Sequence, residues 1–137
     1  MSTLAPTATT AALLSRLIAL AYADQAVDAR ELELIYTIAL ERGVARQQLE
    51  TILLNPHQSG NALPPTPAER IADLYDLARL VLADEVVRPE EEAMLRRSVL
   101  LYQFEEANAG DIVTFLLGHA RQGTASAEVL QLVQDTL

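Results

Sequence analysis

Two short stretches of this sequence carry acidic residues in a pattern that could bind a cation. The first reads AYADQAVDARELELI (residues 21–35), and the second reads LVLADEVVRPEEEAML (residues 80–95). Hard divalent cations such as Ca²⁺ and Mg²⁺ prefer several oxygen ligands, which neighbouring Asp and Glu side chains supply. The candidate metal ligands are therefore acids of both stretches: Asp24, Asp28 and Glu31 in the first, and Asp84, Glu85 and Glu91 in the second.

The same acids also have a structural explanation as helix caps. Asp28 and Glu31 have the spacing of a capping box, and the acids after Pro89 would lie in the first turn of a helix, where the free amides favour them. Asp24 and Asp84 instead fall near the C-terminal ends of predicted helices, where the helix dipole disfavours a carboxylate. Each needs a compensating partner, either the amides that open the next helix or a weakly bound divalent cation. The sequence leaves both interpretations open.

An EF-hand is excluded by the spacing. When the twelve-residue loop is counted from Asp24 or from Asp84, its last position falls on Ile35 or Leu95, where an EF-hand has a bidentate Glu. The central Gly is missing from both stretches as well. A looser cation site is the only metal site that this pattern allows.

No recognisable set of catalytic residues accompanies the acids. The chain has no Cys, which excludes disulfides, thiolate zinc sites and cysteine nucleophiles. His57 lies in a Pro-rich segment next to Ser59, without the strand–turn–helix pattern of a hydrolase, and His119 lies near the end of a predicted helix. A Gly-rich phosphate loop is also absent. We predict a protein that is not an enzyme, with no catalytic residues and no cofactor other than the weakly bound cation.

The charge of the chain points to its partners. Nineteen acids against ten Arg and no Lys give a net charge of −9, and residues 61–137 account for −7 of it, with thirteen acids and six Arg. Such a surface repels nucleic acid and attracts a basic protein partner. No apolar stretch reaches the ~20 residues of a membrane span. The run LIALAYADQ resembles the end of a signal peptide, but the apolar run that leads into it has no positive charge before it and is interrupted by Arg16. We therefore expect a cytoplasmic protein without membrane insertion.

The apolar residues recur at helical spacing along most of the chain. The pattern predicts helices over 8–24, 29–42, 45–54, 67–84, from Pro89 onward, 109–121 and 126–136, with a Pro-rich linker over 55–66. The expected fold is an all-α, single-domain bundle of about seven helices. Its last helix either closes the bundle, with Val129, Leu132 and Val133 inward, or offers a surface to a partner or a second copy in a homodimer. The aromatic residues are expected in the core: Tyr22, Tyr36, Tyr75, Tyr102, Phe104 and Phe115.

The two acidic stretches belong to a longer internal repeat. When Asp84 is placed over Asp24, an offset of sixty residues, apolar residues and acids coincide at helical spacing, as at Leu17 and Leu77 or Glu31 and Glu91. The tails ETILL (50–54) and VTFLL (113–117) align when three residues are inserted. This pattern predicts two duplicated helix–turn–helix units, over about 10–54 and 67–117.

An apolar helix that ends in Ala-Asp and is followed by a turn with a later Glu, occurring twice in a helical chain, resembles the tellurite-resistance TerB-like family. It is similar also to the N-terminal domain of a membrane-anchored DnaJ-type co-chaperone. The family's corner reads Ala-Asp-Gly, whereas Gln25 and Glu85 stand here in place of Gly, so the corner has a different shape. The resemblance covers about residues 10–120. It implies a helical domain of the tellurite and stress response, with acidic residues that bind metal and with no established catalysis.

Overall fold

Helices make up all of the regular secondary structure in the described part of the chain. The computed structural model describes residues 7–22, 28–55, 60–83 and 87–136. Across these ranges there are seven helices and no strand, which confirms the all-α prediction. In chain order they are α1 (Ala8–Ala21), α2 (Ala29–Glu41), α3 (Arg46–Leu54), α4 (Pro67–Val81), α5 (Pro89–Leu101), α6 (Glu106–Gln122) and α7 (Ser126–Thr136).

Some helices differ in length from the prediction. The periodic pattern predicts helices to residues 24 and 84, but α1 ends at Ala21 with Tyr22 as its C-cap, and α4 ends at Val81 with Leu82 as its C-cap. In both, the cap amide still bonds within the helix, from Tyr22 N to Ile18 O at 3.0 Å in α1. By contrast, α6 begins at residue 106 and not at 109, with Glu105 as its N-cap.

The helices form two compact units, Met1–Leu63 and Pro64–Leu137. The boundary between the units falls inside the predicted Pro-rich linker, 55–66. In the first unit α1, α2 and α3 pack against one another. Their inward faces carry the spacing that the sequence predicts, and the core contains Leu13, Leu14, Leu17, Ile35, Ile38 and Leu49, each fully buried.

Helix α4 is the centre of the second unit. It contacts α5, α6 and α7, and α5 packs on α6. Because it has neighbours on several sides, α4 buries ten of its fifteen residues. Thr66 caps it by accepting a hydrogen bond from the Glu69 amide at 3.2 Å, and Pro67 occupies its first turn, two residue types that are typical of these positions at a helix start.

The turns after α2 and α5 have the same geometry. Gly43 and Gln103 both have a left-handed φ, +76° and +71°. The next amide in each turn bonds back across the helix end, Val44 N to Ala39 O at 2.8 Å and Phe104 N to Val99 O at 3.3 Å. These are two Schellman motifs, sixty residues apart. Helices α2 and α5 also start and end sixty residues apart, the offset at which the sequence stretches were aligned, while the duplication itself stays a prediction.

Within the described ranges, none of the helices combines the length and the apolar character that crossing a membrane requires.

The left-handed turn between α6 and α7 allows a direct test of these backbone conformations. Gly123 has a φ of +71°, whereas Gly118 lies inside α6, and a Cβ added at either position meets no atom within 4 Å. We expect Gly123→Ala to lower the free energy of unfolding by about 1–2 kcal/mol, since L-residues are strained at positive φ. Gly118→Ala is the matched control, and it should raise stability by about 0.5–1 kcal/mol through helix propensity. Urea denaturation of the full chain measures both, and equal effects of the same sign would contradict the assigned turn.

Candidate functional site

The first acidic corner acts as a helix cap in the residues that the structure describes. Asp28 is the N-cap of α2 and accepts a hydrogen bond from the Arg30 amide at 2.8 Å, while Glu31 Oε1 accepts one from the Asp28 amide at 3.4 Å. The predicted capping box is therefore confirmed. The bond from the Arg30 amide, together with the bond from the Arg30 side chain, holds the pKa of Asp28 below its usual value. The third candidate ligand of this corner, Asp24, lies outside the described residues.

The second corner repeats half of this arrangement. Glu91 Oε1 accepts a hydrogen bond from the Arg88 amide at 3.3 Å, which matches the role of Glu31 sixty residues earlier. Arg88 replaces the N-cap acid of the first corner, and its guanidinium forms an ion pair with Glu91 at 3.3 Å. The other two candidate ligands, Asp84 and Glu85, lie outside the described residues.

The structure thus describes three of the six acids predicted to bind a cation: Asp28, Glu31 and Glu91. Among the residues that can be described, no three His, Asp or Glu side chains converge as a metal site would require. Asp28, Glu31 and Glu91 all have hydrogen-bond donors of the protein as partners. Metal binding by the six predicted acids stays a prediction.

Two carboxylates that the sequence analysis did not single out are the most deeply buried acids in the described part of the chain. Asp73 and Asp76, one turn apart on α4, are each only 1% exposed. Asp73 accepts a hydrogen bond from the Tyr102 hydroxyl at 3.0 Å, and Asp76 accepts bonds from Arg79 at 3.0 Å and from the Ser126 hydroxyl at 3.1 Å. A buried carboxylate requires such partners, because losing water without compensation is costly. A signal was present in the sequence: the two acids are flanked by apolar residues on a helix that has few other polar positions.

These bonds attach the α6–α7 connection to α4. Ser126 begins α7, and its hydroxyl contacts both Asp76 and Arg79, the latter at 2.8 Å. Two residues earlier, the backbone carbonyl of Thr124 accepts a hydrogen bond from the buried Tyr75 hydroxyl. Burial raises the pKa of Tyr75 above its ordinary value of 10.0, so this hydroxyl keeps its proton at neutral pH. We call the side chains of Tyr75, Asp76, Arg79 and Ser126, together with the Thr124 carbonyl, the anchor.

An apolar groove lies beside the anchor, within the second unit. It has a volume of about 610 Å³, which is in the range of ligand-binding sites. Helix α4 contributes Ile71, the turn before α6 contributes Phe104, and α6 and α7 form the walls. The lining residues are Ile71, Phe104, Asn108, Asp111, Ile112, Phe115, His119, Leu132, Val133 and Thr136.

Several aromatic and aliphatic residues expected in the core lie at the surface or in this groove. Phe104 and Phe115 are only half-buried, and Leu132 is 40% exposed, although Val129 and Val133 beside it are buried. Tyr22, also predicted in the core, is 53% exposed because α1 ends just before it. The predictions for Tyr75 and Tyr102 are confirmed, since both are 1% exposed. Helix α7 therefore packs on α4 and leaves an apolar edge uncovered.

The polar groups of the groove are few and separated. His119 Nδ1 lies 3.1 Å from the Thr124 hydroxyl, and its ring stacks obliquely on Phe115 with 4.7 Å between the ring centres. Asp111 and Asn108 lie toward the other end of the α6 wall and are exposed. His57, the other histidine, lies outside the described residues. An arrangement with mostly apolar lining and few polar groups is suited to binding.

Comparisons with known proteins identified no relative of this chain. No protein-family model matches the chain, and no curated protein and no solved structure matches it either. The interpretation of the groove therefore depends on its own residues.

The anchor can be tested by removing its central carboxylate. Asp76→Ala leaves the Arg79 guanidinium, whose side chain is 19% exposed, without this ionic partner, and should lower the free energy of unfolding by about 3–5 kcal/mol. Ser126→Ala removes two hydrogen bonds, one donated to Asp76 and one accepted from Arg79, and should cost about 1–3 kcal/mol. Chemical denaturation measures both, and hydrogen exchange should show α7 losing protection in each variant. An Asp76→Ala protein as stable as the wild type would contradict the anchor.

Proposed function

We propose that this chain is a non-enzymatic protein-interaction domain that docks a protein partner in the groove of its second unit. The observation that carries the proposal is the uncovered apolar edge of α6 and α7, where Phe104, Phe115 and Leu132 are partly exposed to water. Large apolar side chains that gather at one surface are typical of sites that are covered by a partner. In this proposal the acidic corners hold the helix–turn–helix units in shape.

The contacts of the described corner acids support a structural role for the corners and a binding role for the groove. Asp28, Glu31 and Glu91 each stabilise the start of a helix, so their presence is explained without a bound ion. The groove, by contrast, has a lining that its own helices leave partly uncovered. A scaffold with structural acids and one binding surface accounts for both features.

The net charge of the second unit indicates the charge of its partner. Residues 64–137, the second unit, carry thirteen acids and six Arg, a net charge of −7. This balance favours a basic partner and opposes nucleic acid. We place the domain in the cytoplasm, in a stress response of the tellurite-resistance type, because of the resemblance of its repeated Ala-Asp corners to TerB-like proteins.

The second candidate function is weak divalent-cation binding at the corners. It is favoured by the recurrence of Glu31 and Glu91 at equivalent positions, sixty residues apart, at the starts of α2 and α5. In this version each corner would bind its own cation. Asp24 would join Asp28 and Glu31 in the first corner, and Asp84 would join Glu85 and Glu91 in the second. The two candidates use different parts of the molecule and can be separated by experiment.

Metal titration separates them. In ¹⁵N-labelled protein, millimolar Ca²⁺, Mg²⁺, Mn²⁺ or Zn²⁺ should leave the amides of residues 28–31 and of residues 88, 90 and 91 unshifted, because the carboxylates of these corners act as caps. As a control, Glu31→Gln should change the amides of residues 28–31 without any metal, since it weakens the capping bond of that corner. Saturable shifts at a corner that disappear when its own Glu is replaced, by Glu31→Gln in the first or Glu91→Gln in the second, would favour the cation function over the scaffold.

Site-specific crosslinking tests docking at the groove. A photoreactive phenylalanine analogue at Leu132 should form a discrete crosslink with a partner in cells, because this side chain lies at the groove. The matched control is the same analogue at Leu101, which is on α5 of the same unit and is 68% exposed. The partner is then identified by mass spectrometry, purified, and expected to bind Leu132→Gln at least tenfold more weakly than the wild type. Equal crosslinking at both positions would contradict docking in the groove, and a crosslink only to a second copy of the chain would show a homodimer.

A further inference from the structure

We infer that the groove takes an amphipathic helix of about three turns, whose apolar edge enters the groove and whose flanks carry Arg or Lys. This inference rests on the proposed docking function and specifies the partner segment. It follows from the length of the groove, from its openness and from the charges beside it.

The length of the groove follows from the positions that α6 contributes. Asn108, Ile112, Phe115 and His119 are spaced by four, three and four residues, so they form one stripe along the helix. At 1.5 Å per residue this stripe is about 16 Å long, which corresponds to three turns of a second helix. A partner helix would therefore place apolar residues against it at positions i, i+4, i+7 and i+11.

The openness of the groove favours a helix over a small enclosed ligand. Its walls are two helices, α6 and α7, and its apolar side chains Phe104, Phe115 and Leu132 are partly exposed along its length. A third helix laid between two helices can bury such an edge by packing its ridges into their grooves. Addition of a strand is disfavoured, because the described ranges contain no sheet edge to which a strand could bond.

The charges beside the groove specify the flanks of the partner helix. Residues 105–136, which form α6, α7 and their connection, carry five acids and one Arg, a net charge of −4. Asp111 lines the groove and is exposed, and Asp135 precedes the lining residue Thr136. Arg70 of α4 donates hydrogen bonds to the Pro64 carbonyl at 2.8 Å and to the side chain of Gln103, the residue before Phe104, at 3.2 Å. Its guanidinium is therefore engaged within the protein. Acidic flanks on the partner would be repelled, whereas basic flanks complement this surface.

Synthetic helical peptides test the inference on the full chain. The probe is a sixteen-residue peptide with Leu at positions i, i+4, i+7 and i+11 and with Arg on its flanks. One control peptide has the same composition in scrambled order, and a second has Glu in place of Arg. We expect the first to bind, with amide shifts confined to α6, α7 and Phe104, and both controls to bind at least tenfold more weakly in fluorescence anisotropy.

Three exposed positions provide variants that should leave the fold intact. Leu132→Gln should weaken binding of the basic peptide about tenfold, while Leu101→Gln on α5 should not change it. Asp111→Arg should weaken the basic peptide and strengthen the Glu peptide, and this exchange of preference should fade at high salt. Circular dichroism confirms that each variant remains helical.

The outcomes distinguish this inference from the proposed function. If the scrambled basic peptide binds as well as the amphipathic one while Leu132 still forms its crosslink in cells, the inferred helix is wrong and the proposed docking in the groove stands. If the Glu peptide binds as tightly as the Arg peptide, the basic flanks are wrong. If no peptide binds and Leu132 also forms no crosslink in cells, the inference and the proposed function both fall.

Discussion

The second unit depends on a carboxylate that has been removed from water. Asp76 lies on α4, is almost fully buried, and accepts hydrogen bonds from Arg79 and Ser126. Since a buried carboxylate is stabilised by each hydrogen bond it accepts, the Ser126 bond favours the arrangement in which the first residue of α7 lies over α4. The Tyr75 bond to the Thr124 carbonyl fixes the same connection two residues earlier. Together these contacts position the end of α6 and the start of α7, and the groove is the space that results along these two helices.

The sequence was sufficient to predict the helices, because the signals that specify them are local. The spacing of apolar residues gives the helical faces, and the capping pairs Asp28–Glu31 and Thr66–Glu69 give two starts that the structure confirms. The ends were less accurate, as at Ala21 and Val81, since an apolar pattern can run past the last helical residue. For the burial of Asp73 and Asp76 the apolar flanking residues were the one local signal, and it was not sufficient, because their burial depends on α4 having neighbours on several sides.

The candidate site shows where local pattern stops being informative. The predicted ligands were acids close together in the sequence, and the three that can be described act on the nearest helix start. The groove instead joins residues as far apart as Ile71 and Thr136. Phe104, Phe115 and Leu132 have the composition and spacing of core residues, and only the packing of α7 against α4 leaves them at an edge. A hydrophobic residue that forms a binding surface and one that fills a core are identical in sequence, so this distinction had to come from the fold.

The turn after α5 has a consequence for how this chain can vary. Gln103 adopts a left-handed backbone that Gly43 adopts without strain in the matching turn, and the difference costs about 1–2 kcal/mol. In return, its side chain accepts a hydrogen bond from Arg70, which also holds the Pro64 carbonyl at the entrance to α4. The adjoining residue, Phe104, borders the groove. Replacing Gln103 with Gly would therefore relieve the backbone strain but remove the hydrogen bond to Arg70. Substitutions at positions 70 and 103 are thus expected to occur together among descendants of this sequence. Gly43, by contrast, should tolerate little change by itself.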